Sequence, residues 1–198
     1  MSPESAEVKF PLLSRRLARA FVITAMLAFV AGCASNRVIS DGPHANLMLK
    51  GYDPVAYFTV GRPVPGKADI AVRHDGLDYR FTSDEHRKMF LANPERYVPK
   101  YGGFCSQGIA YAVMFGGEAE KFQIIDDRLF IFGDQGAIDA WNSSPKKHLE
   151  YAEHYWNTEM KGMPYRLQTM KRFIFKVPHY KTGKEVRALL AAKRPVLE

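Results

Sequence analysis

The sequence predicts one small α+β domain placed between two basic ends. Two observations predict this class: an alternating apolar pattern that is interrupted by a turn and followed by a helical pattern, and the recurrence of that arrangement 51 residues later. The chain has 198 residues, of which 46% are apolar, so a single core could bury roughly two-thirds of the unfolded surface. Its two cysteines exclude a disulfide scaffold, and its composition excludes a disordered or collagen-like chain.

Residues 1–32 are expected to be a lipoprotein signal peptide. A basic segment with three arginines precedes an apolar stretch over 20–34, which is shorter than the roughly 20 residues of a membrane-spanning helix. The stretch contains Val-Ala-Gly-Cys, which resembles a bacterial lipobox, so Cys33 is the predicted lipidation site. A plain signal peptide and a short anchor helix are the alternatives.

The residues after the lipobox predict where the mature protein lies. Residues 33–45 would hold the lipidated cysteine and a polar tether. Ala34 follows the cysteine where an aspartate would resemble an inner-membrane retention signal. We therefore expect an outer-membrane lipoprotein at the periplasmic face of the cell envelope, held on the membrane by its lipid.

The first repeated unit begins with a predicted β-hairpin. Residues 70–81 contain two alternating runs around an Asp-Gly pair, which suits the positive φ angles of a tight turn. Thr82 and Glu85 have the spacing of a capping box, which predicts a short helix capped by Thr82. Pro94 ends this helix.

A second unit has equivalent residues 51 positions further on. Several equivalent positions hold different residue types that can play the same physical role. They lie at the turn, in the second strand, at the helix cap, on the helix face and at the helix end. The equivalents are Asp126-Asp127 at the turn, Phe130 and Phe132 for Tyr79 and Phe81, Asp134 for Ser83, Trp141 for Phe90 and Pro145 for Pro94. Two duplicated strand-turn-strand-helix units are therefore expected to pair into one domain.

A helical Gly-Gly-x-Cys segment is predicted between the two units. Pairs of glycines enclose an apolar run over 104–115, with Cys105 in the first helical turn. Backbone N–H groups at the start of a helix stabilise a thiolate and favour anions. Cys105 is therefore a candidate functional residue.

Several motifs of the central region resemble the YHS domain family. They are Gly-Tyr-Asp-Pro-Val-Ala-Tyr-Phe at 51–58, Tyr-Arg-Phe at 79–81, Asn-Pro-Glu-Arg-Tyr at 93–97 and Tyr-Gly-Gly-Phe-Cys at 101–105. The resemblance implies a small α+β module at 46–159 that is associated with metal-handling proteins, in the secreted branch with a single cysteine. With Cys33 used for lipid, the cysteine pair of other branches cannot be carried over.

Cys105 is the predicted centre of a metal site. A thiolate prefers soft or borderline metals, so copper or zinc is the predicted cofactor. Asp53, from the first motif, and His86 are the candidates for further ligands. The alternatives are a buried structural cysteine, an aspartate that accepts backbone hydrogen bonds in a turn, and a histidine at the edge of the core.

The motifs of common enzyme classes are missing from the sequence. It contains no Gly-x-Ser-x-Gly elbow, no phosphate-binding loop with lysine, no His-Glu-x-x-His and no Cys-x-x-Cys. We therefore predict a non-catalytic protein.

The C-terminal extension over 160–198 is basic and aromatic. It carries ten basic and two acidic side chains, whereas residues 33–159 carry 14 and 17. The pattern predicts a strand over 172–177 and an amphipathic helix over 183–194.

Two interpretations of the extension stay open. In the first, it binds an anionic membrane surface or an envelope protein. The residues expected to make that contact are Arg166, Lys171, Arg172 and Lys176. In the second, Phe173, Phe175 and Leu189 pack on the domain while the charges stay solvated. Nucleic acid is excluded as a partner, because an exported, lipid-anchored protein would rarely meet it.

Overall fold

The computed structural model describes residues 46–163 and 165–193, and it leaves the side chains of residues 165, 166 and 193 undescribed. The predicted signal peptide, Cys33 and the tether therefore lie outside the described residues. The predicted α+β class is confirmed, because the domain combines helices with two small antiparallel hairpins.

The first unit is the predicted hairpin followed by a helix. Strands β1 (Lys67–His74) and β2 (Leu77–Phe81) pair antiparallel through a two-residue turn with φ angles of 47° and 77°. Helices α2 (Asp84–Ala92) and α3 (Pro94–Tyr97) follow. The Asp-Gly pair thus makes the left-handed turn that its sequence predicts.

The second unit repeats these elements at the predicted offset. Strands β3 (Glu118–Ile125) and β4 (Arg128–Phe132) and helix α5 (Gln135–Ser143) have the same lengths as their counterparts and begin 51 residues later. The register shift near the start of the hairpin is also repeated. Helix α6 (Pro145–Tyr155) begins at the equivalent proline but is longer than α3. The duplication is confirmed.

The helix caps differ from the prediction by one residue in the first unit. Ser83, and not Thr82, caps α2, since its Oγ accepts the backbone N–H of His86 at 3.2 Å. Asp134 caps α5 in the same way. The predicted cap at Thr82 is wrong because its backbone N–H and its hydroxyl both donate to Asp53 instead.

Strand β4 joins two cores into one domain. Leu129 and Ile131 pack in the core of the first unit, whereas Phe130 and Phe132 pack in the core of the second. Successive side chains of a strand point to opposite faces, so β4 is apolar from Leu129 to Phe132. Its counterpart β2 has polar residues at alternate positions because only one of its faces is buried.

Short helical segments connect the units. Helix α1 (Ala56–Thr59) precedes the first hairpin, and 3₁₀ turns occupy Met48–Gly51 and Lys100–Gly103. Helix α4 (Ser106–Ala110) lies between the units. Cys105 is the residue before α4, one position outside the first turn in which it was expected.

The C-terminal segment packs on the duplicated domain as helices. A π-helical turn at Trp156–Met160 leads to α7 (Tyr165–Ile174), and α8 (Gly183–Lys193) follows. The fully buried Gln168 donates from Nε2 to the carbonyl oxygen of Ala112 at 3.0 Å. The predicted strand over 172–177 is wrong because residues 172–174 continue α7 and residues 175–177 are neither helix nor strand. The predicted helix over 183–194 is confirmed as far as Lys193.

No helix within the described ranges is long and apolar enough to cross a bilayer.

Candidate functional site

Two of the predicted metal ligands, Asp53 and His86, are brought into contact. The Asp53 carboxylate is fully buried. Its Oδ1 accepts the backbone N–H groups of Val55 and Ala56 at 2.9 and 3.3 Å. Its Oδ2 accepts the backbone N–H and the hydroxyl of Thr82 at 2.8 and 2.7 Å and lies 2.6 Å from His86 Nδ1.

This network occupies the atoms that a metal would need. Both carboxylate oxygens of Asp53 already accept at least two hydrogen bonds, and the other ring nitrogen of His86 lies 3.2 Å from the Thr59 hydroxyl. The arrangement is the turn that the sequence offers as the alternative to metal ligation. Asp53 thereby ties the first motif to the end of β2 and to α2.

Cys105 is buried between β4 and the start of α4. Its backbone pairs with that of Ile131, and the backbone N–H groups of Gln107, Gly108 and Gly133 lie near its thiol. Burial raises the pKa of the thiol, and these N–H groups reduce that rise without cancelling it. The prediction that this environment stabilises the thiolate is therefore wrong, because the net effect favours the neutral thiol.

The three predicted metal ligands do not form one site. Across the part of the chain that the structure describes, no group of three or more histidine, cysteine, aspartate or glutamate side chains is placed to hold a metal ion. Asp53 and His86 satisfy each other, while Cys105 stands apart from them. Copper or zinc would need further ligands beside a single thiol, and the predicted donor set does not supply them.

A cleft of about 660 Å³ lies beside Cys105. It is bounded by the end of β4, by α4 and α5, and by α8. Gln107 lines it, and this side chain is 3% exposed with neither amide atom in hydrogen-bond contact. Gln107 is not among the residues predicted from the sequence. The available signal was a polar residue inside the apolar run over 104–115.

A second feature is an exposed apolar face on α7 and the residue after it, which we name the α7 face. Its side chains are between 41% and 84% exposed. They are Leu167, Met170, Phe173, Ile174 and Phe175. Packing of Phe173, Phe175 and Leu189 on the domain, which was the second interpretation of the extension, is therefore wrong. Met160, Gln168, Val177 and Val186 are buried there instead.

The predicted surface cations have different environments. Arg172 is only 13% exposed and pairs with Glu159, with Nη2 2.5 Å from a carboxylate oxygen, so its charge is already neutralised within the protein. Lys171 also pairs with Glu159, at 2.8 Å, but stays half exposed. Lys176 is exposed and lies over the ring of Tyr180 at 4.8 Å. The side chain of Arg166 lies outside the description.

Acidification is expected to loosen α7. Burial would raise the pKa of Glu159, but hydrogen bonds from Lys171, Arg172 and Gln168 outweigh it and hold the pKa below its usual range. A carboxylate whose pKa is lower in the folded than in the unfolded protein stabilises the fold above its unfolded pKa of about 4.3. That stabilisation is lost as the pH falls through the lower pKa of the folded protein. When Glu159 is protonated, we expect the equilibrium constant for local opening of α7 to increase roughly fivefold, which corresponds to about 1 kcal/mol.

Hydrogen exchange of the amides of residues 167–174, corrected for intrinsic rates, measures this opening. Glu159→Gln should show it already at pH 6, with little further change on acidification. Glu150, an exposed glutamate on α6, provides the control as Glu150→Gln, which should behave like the unaltered chain. Equal exchange in the unaltered chain and Glu159→Gln would contradict the prediction.

No family model, curated protein or solved structure matched the chain. The YHS resemblance therefore rests on the motifs in the sequence and stays a prediction.

Proposed function

We propose that this protein is a non-catalytic module of the cell envelope, anchored by lipid at Cys33, that lies on an anionic membrane surface through the α7 face. The observation that supports the proposal is the exposure of five neighbouring apolar side chains inside a strongly basic segment. Soluble proteins rarely expose a contiguous apolar patch of this kind without a partner.

The spacing of the exposed residues favours a membrane surface as that partner. Leu167, Met170 and Ile174 recur every three or four residues and so share one side of α7. Two phenylalanines extend that side at the C-terminal end of the helix. An amphipathic helix with this composition lies in the plane of the interface, with its apolar side among the lipid chains.

The charges favour an anionic surface. Residues 160–198 carry ten basic and two acidic side chains. Those with exposed, described side chains outside the cleft beside Cys105 include Lys176 and Lys184. Each lysine or arginine near an anionic leaflet contributes about 1 kcal/mol of attraction. A protein anchored at Cys33 would also meet that leaflet at a high effective concentration.

A fluorescent label on the α7 face is expected to report insertion. The full chain carrying Phe173→Cys in a Cys105→Ser background, which is used for both labels so that the dye has one free thiol, is labelled with an environment-sensitive dye and reconstituted into phosphatidylglycerol vesicles. We expect a blue-shifted emission, because the label enters the apolar part of the bilayer. Phosphatidylcholine vesicles or high salt should reduce the inserted fraction at least about tenfold, since two or more cations contribute to binding.

A label at Asp69→Cys provides the matched control, because Asp69 is exposed on β1 in the acidic part of the chain. Its emission should stay that of water in every vesicle, although the same anchor holds the protein. Water-like emission from both positions in phosphatidylglycerol vesicles would contradict the proposal and would direct the search to an envelope protein as the partner.

Metal binding by Cys105 stays a prediction of the sequence. The cysteine lines the cleft, but it is buried, its pKa is raised, and the predicted ligands are engaged elsewhere. The geometry therefore supports the membrane-surface proposal better.

A further inference from the structure

We infer that the cleft beside Cys105 binds a neutral small molecule that carries an amide group. The inference is independent of the membrane-surface proposal, since the residues of the α7 face do not line the cleft. It rests on an unpaired buried amide, on aromatic walls and on balanced charges.

The unpaired amide is that of Gln107. Its Nε2 and Oε1 are both buried without a hydrogen-bond partner, in a side chain that lines the cleft. Burial raises the pKa of the neighbouring Tyr111, and the Gln107 amide opposes that rise, although the two side chains lack normal hydrogen-bond geometry. A buried amide left unpaired is unfavourable, so a ligand that pairs with it gains affinity.

A second amide is the natural complement of Gln107. The glutamine side chain presents two N–H donors and a carbonyl acceptor side by side. A ligand with one group of each kind, equally spaced, can satisfy both. A ketone would leave the Gln107 oxygen unpaired. A carboxylate would place a negatively charged oxygen against the partial negative charge of the Gln107 oxygen.

The walls of the cleft suit an apolar or aromatic body. The volume of about 660 Å³ lies within the range of small-molecule sites. The apolar lining is supplied by Tyr111, Phe115, Tyr180, Val186 and Leu190. Glycines at 108, 116, 133 and 136 add flat backbone surface. An amide attached to a ring would contact both kinds of wall.

The charges around the cleft balance. It is lined by two cations, Lys181 and Arg187, and by two carboxylates, Asp134 and Asp139. Asp134 is further engaged as the cap of α5. Burial raises the pKa of the Cys105 thiol, so the floor of the cleft is uncharged as well. The cleft therefore selects neither an anion nor a cation.

Three related probes test the inference on the full chain in lipid nanodiscs: benzamide, acetophenone and benzoate. Acetophenone lacks the N–H donor, and benzoate replaces the amide with a charge. We expect benzamide to bind at least about tenfold more tightly than either, as measured by calorimetry against empty nanodiscs. Equal affinities, or no binding of benzamide, would overturn the inference.

Gln107→Met separates recognition from folding. Methionine has a similar volume and no amide, so the variant should lose the preference for benzamide and unfold at a higher temperature than the unaltered chain. Gln123→Met is the control, because the Gln123 amide donates to Asn142 Oδ1 at 3.2 Å outside the cleft. That variant should keep the preference without gaining stability. A destabilised Gln107→Met would mean that the protein itself satisfies the amide, and the inference would fail.

Discussion

Asp53→Asn is expected to lower the free energy of unfolding by about 3–5 kcal/mol. The buried carboxylate accepts hydrogen bonds from Val55, Ala56 and Thr82 and contacts His86. Asparagine keeps one acceptor oxygen but turns an N–H₂ group toward one set of donors. At least one buried N–H would then lose its partner, which is costly in a water-free environment.

Urea unfolding of the full chain, followed by the fluorescence of the buried Trp141 and the partly buried Trp156, measures this loss. Asp134→Asn is a matched control in the second unit. Asp134 caps α5 at an exposed position, and asparagine is an equally good helix cap, so the change should cost less than about 0.5 kcal/mol. A similar loss in both variants would show that the Asp53 network contributes no more than an ordinary cap.

Gly117→Ala is expected to destabilise the protein by about 2–3 kcal/mol. A Cβ at Gly117 would lie 2.3 Å from the carbonyl oxygen of Gly103 and 2.5 Å from Ile131 Cγ2. The first of these atoms belongs to the backbone and cannot move aside alone. Gly66 is the equivalent residue of the first unit, and its Cβ would lie 2.5 Å from the backbone carbon of Arg80. Gly66→Ala should therefore have a similar effect.

Gly136→Ala provides the control for both glycine variants. Gly136 lies inside α5, where a Cβ would meet only the Asp134 side chain at 3.3 Å. Alanine is favoured over glycine in a helix, and the one close atom belongs to a side chain, so the stability of this variant should stay within about 1 kcal/mol of that of the unaltered chain. The same urea titration measures all three variants. Unchanged stability in Gly66→Ala and Gly117→Ala would show that the hairpins do not need the close backbone approach.

The duplicated units could be predicted because their signals are local. An Asp-Gly turn, a cap before an apolar helix face and a proline after it act within a few residues, and their recurrence at one offset strengthened each of them. The same local reasoning failed at Thr82, where a residue 29 positions away, Asp53, competes for the hydroxyl. It also failed over 172–177, because a six-residue apolar and basic run suits the end of a helix as well as a strand.

The candidate sites depended on contacts that no local pattern contains. Cys105 was predicted as a metal ligand in the first turn of a helix, with a buried structural cysteine as the alternative. It is buried before α4, and its neighbours are set by the packing of β4 against α4. The ligands assigned to it were wrong as a group, because Asp53 and His86 meet across the first unit. Gln107 carried no signal beyond its polarity.

The sequence by itself determined the α+β class, the two hairpins with their helices, and the concentration of basic charge in the C-terminal segment, because these follow from residue order and composition. The tertiary structure alone decided that Asp53 is a buried acceptor, that Gln107 is unpaired beside a cleft and that the α7 face stays exposed. Burial and hydrogen bonding depend on which distant segments come together. Whether burying a side chain stabilises or destabilises the protein depends on the partners that those segments supply.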